Sequence, residues 1–258
     1  MIIRLLVLLL PVPLAVLLWQ TVTSGAEDPN FPPPSDIVVR MHELWFSGPA
    51  SRLWLTEEAS ADFRASLTRL LAAWVLAAVA GIAIGTALGR SARLYGYVRP
   101  LIAFGYAIPP IMLLPFFIAL FSGGTQMQLA TIMFGIVWPV LLNAAEGARS
   151  IDPQHLDIAR VFRFSPAERL TRVYLPSAAP KIFAGLRLSL SLALILMVIS
   201  EMNGSTDGIG FRLLDAQRSF DVAAVWAGIV LLGVLGVALN ALFLLLERRA
   251  LAWHRALG

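Results

Sequence analysis

Long apolar runs separated by short polar segments constrain this chain more than any other feature. A helix needs about 20 mostly apolar residues to cross a bilayer. Six such runs are present, at residues 3–22, 68–90, 98–121, 126–147, 180–202 and 222–247. The composition agrees, because 58% of the 258 residues are hydrophobic and only 14% are charged, whereas soluble domains have about 45–50% and about 25%. The sequence therefore predicts an all-α integral membrane protein with six transmembrane helices in a single domain.

The distribution of basic residues predicts the orientation of these helices. With the N-terminus in the cytoplasm, only six of the 20 lysine and arginine residues lie outside: Arg40, Arg52, Arg64, Arg69, Arg212 and Arg218. A cytoplasmic excess of this kind follows the positive-inside rule. Both termini are then cytoplasmic, residues 25–60 are external, and residues 152–176 form a cytoplasmic loop between spans four and five. We also expect a short external helix near residues 35–46, capped by Ser35.

The first apolar run has two interpretations. It is a transmembrane helix, or, with Arg4 before it and small residues at 23–26, it is a cleaved signal peptide. Cleavage would leave five spans with the later loops on the same sides, because the new N-terminus would be external. Detection of Met1 or Arg4 in the mature protein would exclude cleavage.

Residue usage excludes several classes of chemistry. The chain has no cysteine, so it forms neither disulfides nor thiolate metal sites. Its three histidines, His42, His155 and His254, are far apart without ligand spacing. The only lysine, Lys181, does not belong to a phosphate-binding loop motif, so the chain is not itself a P-loop ATPase. We therefore expect no catalytic residue, no metal site and no bound cofactor, and we assign the basicity to topology rather than to nucleic acid.

Polar and helix-breaking residues within the spans are candidates for a translocation pathway. Pro109 and Pro110 interrupt the third run, which favours a broken helix that lines a cavity. A carboxylate near a helix end is costly unless it is hydrated or paired. Glu201 is therefore expected at a wet external interface, either as a structural pair or as part of a gate. The candidate pathway residues are Tyr106, Pro109, Pro110, Asn143, Met197 and Glu201.

Small residues recur at every fourth position in three of the spans. Each step of four keeps them on one helix face, which either packs closely against a neighbouring helix or slides along it during transport. The stripes are Ala73, Ala77, Gly81, Gly85 and Gly89 in span two, Gly135, Pro139, Asn143 and Gly147 in span four, and Gly185, Ser189 and Ala193 in span five.

The polar segment between spans four and five contains two helix starts. Asp152 followed by Pro153 is an N-cap with proline at the first helical position. Ser165 with Glu168 three residues later is a capping box. The segment therefore predicts a rigid helix–turn–helix, which is typical of a site where a partner docks. Its predicted apolar face consists of Leu156, Ile158, Val161 and Phe162.

The same segment resembles the cytoplasmic signature of bacterial ABC importer permeases, which has the form E-A-A-x3-G-x9-I-x-L-P. The spacing is kept by residues 157–159, by Arg163 and by residues 173–176. Four signature positions are substituted, with Asp157 for glutamate, Ile158 for alanine, Arg163 for glycine and Val173 for isoleucine. Flanking motifs at 106–110, 147–153 and 185–188 resemble the nitrate/sulfonate/taurine branch of that family. The resemblance extends over nearly the whole chain.

The resemblance implies a pore-forming permease in the bacterial inner membrane that moves a small solute such as nitrate, a sulfonate or taurine. It implies two ATPase subunits that hold ATP and Mg, an external substrate-binding protein, and a second permease that forms a homodimer or a heterodimer. It assigns coupling to the ATPase to Pro153, Leu156, Asp157, Ile158, Ala159, Arg160, Phe162, Arg163, Ser165, Glu168, Leu175 and Pro176.

Arg163 is the position where the match departs from the family pattern. Glycine commonly supplies a positive φ at a helix end, and arginine does so only at an energetic cost. Either the turn is therefore shaped differently, or this subunit pairs with a second, more regular permease.

Two other functions fit less well. A transporter or channel that works alone would need intramembrane ionisable relays or an inverted repeat, and neither is evident. A membrane-embedded enzyme would need catalytic motifs such as H-E-x-x-H or G-x-S-x-G, which the sequence lacks.

Overall fold

A computed structural model of the chain describes residues 10–25 and 28–252. Within these residues the regular structure is helical, with 3₁₀ turns at Ala50–Arg52 and Pro110–Leu113 and a π-helical turn at Leu170–Tyr174. The α-helices are α1 (Pro11–Thr23), α2 (Pro34–Trp45), α3 (Glu57–Gly89), α4 (Ala92–Ala107), α5 (Leu114–Phe121), α6 (Gly124–Arg149), α7 (Pro153–Val161), α8 (Pro166–Arg169), α9 (Leu175–Met202), α10 (Ile209–Arg218) and α11 (Val222–Ala250).

Four described helices are long and apolar enough to cross a membrane: α3, α6, α9 with the helical residues from Pro166, and α11. The α4–α5 pair meets the same criterion together but is bent by 80°, which confirms the interruption predicted from Pro109 and Pro110. α1 is apolar but has 13 residues, and residues 3–9 of the first predicted span lie outside the described residues. The structure thus contains four or five apolar spans within its described part.

One compact unit comprises the described residues up to Ala65 together with Asp207–Val234. Ion pairs join its helices, Arg40 to Asp221 and Arg212 to Asp62, each at 2.6 Å. A cavity of about 210 Å³ lies among α2, α3, α10 and α11. The buried apolar core of this unit consists of Ile37, Trp45, Ala59 and Ala227.

The short helix near residues 35–46 is confirmed, but Ser35 is not its cap. α2 begins at Pro34, with Pro33 as an N-cap that makes no side-chain hydrogen bond. The Ser35 amide instead donates to Gln20 Oε1 at 3.0 Å, and the Ser35 hydroxyl donates to Asp36 at 3.1 Å. Proline is favoured at the first helical position because no hydrogen bond is required there. The helix therefore starts one residue earlier than predicted.

The other unit comprises Ser66–Thr206 and the described residues from Leu235 to Ala252, and the small-residue stripes bring its helices together. A Cβ added to Gly185 of α9 would lie 2.7 Å from Asn143 Cβ of α6. A Cβ added to Gly81 of α3 would lie 2.9 Å from Val140 Cβ of α6. These approaches confirm that the stripes pack one helix closely against the next.

Replacing Gly85 with valine is expected to destabilise the protein by about 1–3 kcal/mol, the usual cost of overpacking. A side chain there would meet the Leu141 carbonyl oxygen and would approach Ala144 Cβ to 2.8 Å, so α3 and α6 would have to separate. Thermal unfolding of the detergent-purified protein measures the effect. Gly96→Val is the control, since nothing lies within 4 Å of a Cβ at Gly96. Equal losses for both variants would contradict this packing.

Candidate functional site

The segment between α6 and α9 folds as the predicted helix–turn–helix. The Asp152 carboxylate accepts a hydrogen bond from the Gln154 amide at 2.9 Å and caps α7. The Ser165 hydroxyl accepts from the Glu168 amide at 3.3 Å, and the Glu168 carboxylate accepts from the Ser165 amide at 2.9 Å. Both predicted caps are therefore confirmed. Because they satisfy amides that a helix start leaves unpaired, both helices are fixed from their first turn.

The second helix of the site differs from the prediction because it does not stand alone. α8 is a single turn, and the chain continues from it through the π-helical turn Leu170–Tyr174 into α9. Leu175 and Pro176 were predicted to close the loop. They are instead the first two residues of α9, where proline is tolerated. The second half of the site is thus continuous with a helix long enough to span the membrane.

The turn between α7 and α8 is a Schellman motif with arginine at the position that glycine usually occupies. The Phe164 amide donates to the Ala159 carbonyl at 2.9 Å, and the Arg163 amide donates to the Arg160 carbonyl at 3.0 Å, which is the hydrogen-bond pattern of this motif. Arg163 has φ +54°. This left-handed conformation costs a residue with a Cβ roughly 1 kcal/mol. The turn therefore keeps a glycine-type shape and carries the strain expected from Arg163.

The inner face of the helix–turn–helix packs into its own apolar cluster. The Arg90 guanidinium lies 5.2 Å from the Tyr174 ring centre, a favourable cation–π distance. Leu156 packs inward against the cluster, whereas the sequence placed it on the outer apolar face. The reason is that α7 folds back on the residues that precede α9. The cluster consists of buried Ile151, Ala159 and Val173, with Leu156, Phe164 and Tyr174 packed against them.

The outer face of the helix–turn–helix is apolar and exposed. Ile158, Val161 and Phe162 are 51%, 79% and 70% exposed, and we call these three residues the docking patch. Contiguous exposed apolar side chains are typical of a surface that binds a partner. Asp157 and Arg160 lie beside the docking patch as an ion pair with an oxygen–nitrogen distance of 2.6 Å. The site thus combines an apolar centre with a charged rim.

The six pathway candidates lie in different surroundings. Tyr106 and Pro109 are exposed at the break between α4 and α5, and Pro110 is half-buried. The side-chain amide of half-buried Asn143 donates to the Pro139 carbonyl at 2.8 Å. The remaining two candidates, Met197 and Glu201, are fully buried in α9.

Glu201 is not at a wet interface, and that expectation is wrong. Its carboxylate is completely buried and accepts hydrogen bonds from the Ser66 hydroxyl at 2.8 and 2.9 Å and from Arg69 at 3.0 Å. A buried carboxylate is stable only where it is paired and hydrogen-bonded. The structural-pair alternative is therefore confirmed, and the cluster joins α3 to α9. A role for Glu201 in a gate stays a prediction.

Sequence reasoning missed Ser66 and Arg69. Arg69 was placed among the external cations, but its side chain is only 8% exposed. The available signal was the spacing of two polar residues one helical turn apart where an apolar run begins.

Among the described residues, no group of three or more histidine, aspartate or glutamate side chains has a metal-binding arrangement.

The apolar helices long enough to cross a membrane define a multi-pass membrane protein, and a rigid element with an exposed apolar face joins two of them. The family model described as the binding-protein-dependent transport system inner membrane component matches residues 77–251. The chain belongs to this family, and within it to the ABC importer permeases of the nitrate/sulfonate/taurine branch.

Three relatives from different organisms support the assignment to this family and branch. The putative aliphatic sulfonates transport permease protein SsuC of Bacillus subtilis is 31% identical over 251 residues, covering 96% of this chain and 87% of the relative. The nitrate import permease protein NrtB of Synechocystis is 29% identical over 238 residues, covering 92% and 86%. The taurine transport system permease protein TauC of Escherichia coli is 31% identical over 249 residues, covering 93% and 88%.

A solved structure has a similar fold. The inward-facing MetNI methionine ABC transporter matches with a TM-score of 0.59 at 18% identity, over 72% of this chain and 94% of that chain.

Proposed function

We propose that this chain is the pore-forming permease subunit of an ATP-driven importer in the bacterial inner membrane, and that it moves a small anionic or sulfonated solute. Relatives that cover most of the chain are named for aliphatic sulfonates, nitrate, taurine and bicarbonate, which supports this class of solute. The chain itself contributes no catalytic residue. ATP and Mg are held by the partner ATPase.

The proposed topology has six spans with both termini in the cytoplasm. Residues 3–22 form the first span and the bent α4–α5 pair forms the third. Two ATPase subunits bind on the cytoplasmic side, an external binding protein delivers the solute, and a second copy of the chain completes the pore. A heterodimer with a different permease is the alternative.

The docking patch is the observation that carries the coupling function. Ile158, Val161 and Phe162 present apolar surface on an element that is capped at both helix starts. The closure of ATPase subunits on ATP is a rigid-body motion, and only a stiff element transmits such a motion. Because α8 continues into α9, displacement of the docking patch acts directly on a membrane-spanning helix.

Deleting Pro153–Leu175 is expected to stop ATP-coupled uptake and to abolish co-purification of the ATPase, because the deletion removes the docking patch. Uptake into proteoliposomes and quantification of the ATPase subunit measure both effects. Size-exclusion chromatography of the shortened chain in detergent shows whether it remains folded and monodisperse. ATP-coupled uptake that survives in a folded deletion variant would overturn the proposed coupling.

The solute class is tested through the external binding protein. The complex is purified with that protein, and mass spectrometry identifies the ligand that it holds. A sulfonate, nitrate or taurine supports the proposal, whereas a neutral or purely cationic ligand contradicts the solute class and leaves the ATP-driven coupling unaffected.

A further inference from the structure

The charged residues of the helix–turn–helix are almost all occupied by neighbours within the segment. Arg160 pairs with Asp157 at 2.6 Å, and Arg172 lies 3.8 Å from Glu168. Arg169 donates through Nε to the Phe164 carbonyl at 3.0 Å. Each of these side chains therefore stabilises the element itself.

Arg163 is the exception. It is exposed, and in the part of the chain that the structure describes no hydrogen bond or ion pair joins its guanidinium to another residue. Residues 152–176 contain four arginines against three carboxylates, so the segment has an excess of positive charge. Arg169 uses its guanidinium on a backbone carbonyl, and Arg163 is exposed, so its charge is open to a partner. This charge directly follows Val161 and Phe162 of the docking patch.

Arg163 also occupies the one position of the turn where its side chain is unfavourable. Its φ of +54° lies in the left-handed region that favours glycine, and glycine would form the same Schellman hydrogen bonds, which involve only backbone atoms. Among the described residues, no hydrogen bond or ion pair of the Arg163 side chain offsets the strain. An observed backbone outlier of this kind at an exposed position supports a functional role for the side chain.

We infer that Arg163 binds a carboxylate of the ATPase that docks on the patch, and thereby selects which ATPase this permease accepts. The inference rests on the proposed function. When the apolar patch is covered, water is excluded and a guanidinium–carboxylate pair becomes stronger and more directional. An ATPase without the acidic group leaves the guanidinium desolvated and unpaired, which is a penalty. The strained residue thus adds discrimination that glycine cannot provide.

Three substitutions separate backbone strain from charge. Arg163→Gly and Arg163→Asn relieve the strain and remove the charge, because both residues accept a positive φ. Arg163→Lys keeps both the charge and the strain. The ATPase that co-purifies with the wild-type chain serves as the probe, and its Kd is measured for each purified full-length permease together with thermal unfolding of the permease alone.

The expected results for stability and for binding have opposite signs. Arg163→Gly and Arg163→Asn raise the unfolding temperature of the permease but weaken ATPase binding about tenfold, the loss expected for a charge pair in a partly desolvated interface. Arg163→Lys loses less affinity than Arg163→Gly, because the charge remains while the planar fork of donors is lost. The affinity of the wild type decreases with added salt more steeply than that of Arg163→Gly.

The inference is overturned if Arg163→Gly binds the ATPase as tightly as the wild type, or more tightly. It is also overturned if Arg163→Lys loses as much affinity as Arg163→Gly. Failure of the proposed function is a different result, because then the wild-type chain binds no ATPase at all.

Discussion

Replacing Phe162 with aspartate is expected to weaken binding of the ATPase about 100-fold or more while leaving the permease folded. Phe162 is 70% exposed, so the isolated chain loses little when the ring is removed. In the proposed complex the ATPase covers the same ring, and burial of a phenylalanine side chain stabilises by about 1.5–3 kcal/mol. The introduced carboxylate adds a desolvation cost at the centre of the docking patch. Titration of the purified ATPase onto the permease, with ATP-driven uptake as a second readout, measures the effect.

The matched control introduces the same charge elsewhere on α7. Gln154 is exposed near the start of that helix, where an added acidic group is favourable, so Gln154→Asp is expected to bind the ATPase normally. If Phe162→Asp and Gln154→Asp bind equally well, the docking patch is not the ATPase contact.

Replacing Glu201 with alanine is expected to destabilise the permease by about 3–5 kcal/mol, because it removes the carboxylate that forms an ion pair with a buried cation. Arg69 has a side-chain exposure of 8% and donates to the Glu201 carboxylate at 3.0 Å. Thermal unfolding in detergent measures the loss. Glu57→Ala is the surface control, since Glu57 and Arg52 form an exposed pair at 3.1 Å, and such pairs contribute only about 0–1 kcal/mol.

A double variant tests whether the cost comes from the unpaired charge rather than from lost volume. Glu201→Met combined with Arg69→Met replaces the ion pair by apolar side chains, which is often neutral or stabilising at a buried site. The double variant is therefore expected to unfold at a higher temperature than Glu201→Ala. An unfolding temperature for Glu201→Ala equal to that of the wild type would show that the pair contributes nothing to stability.

Local features of the fold could be predicted from the sequence because their causes are local. The caps at Asp152 and Ser165 join residues two or three positions apart, and the break at Pro109 and Pro110 follows from missing amide donors. The helix–turn–helix was therefore predictable in its two starts. The continuation of α8 into α9 was not predicted. No helix-terminating residue follows α8 directly, so the chain remains helical through residues 170–174.

Features that depend on distant residues were not predictable in the same way. Arg69 and Glu201 are 132 positions apart, and only the folded chain shows that they meet. A hydrated glutamate and a buried, paired one have the same local sequence, so the expected surroundings of Glu201 were wrong. Leu156 was placed on the outer face for a related reason, because the apolar pattern of α7 does not say which side the chain folds back upon.

The π-helical turn at Leu170–Tyr174 determines how α8 is rotated about the helix axis relative to α9. Each residue of an α-helix advances the direction of its side chain by about 100°, and a π-helical turn accommodates one residue more than an α-helical turn does. The direction that α8 faces around the helix axis, relative to the buried stripe of α9, therefore depends on this one extra residue. In the proposed coupling, the transmitted motion therefore depends on the number of residues in this turn as well as on side-chain chemistry.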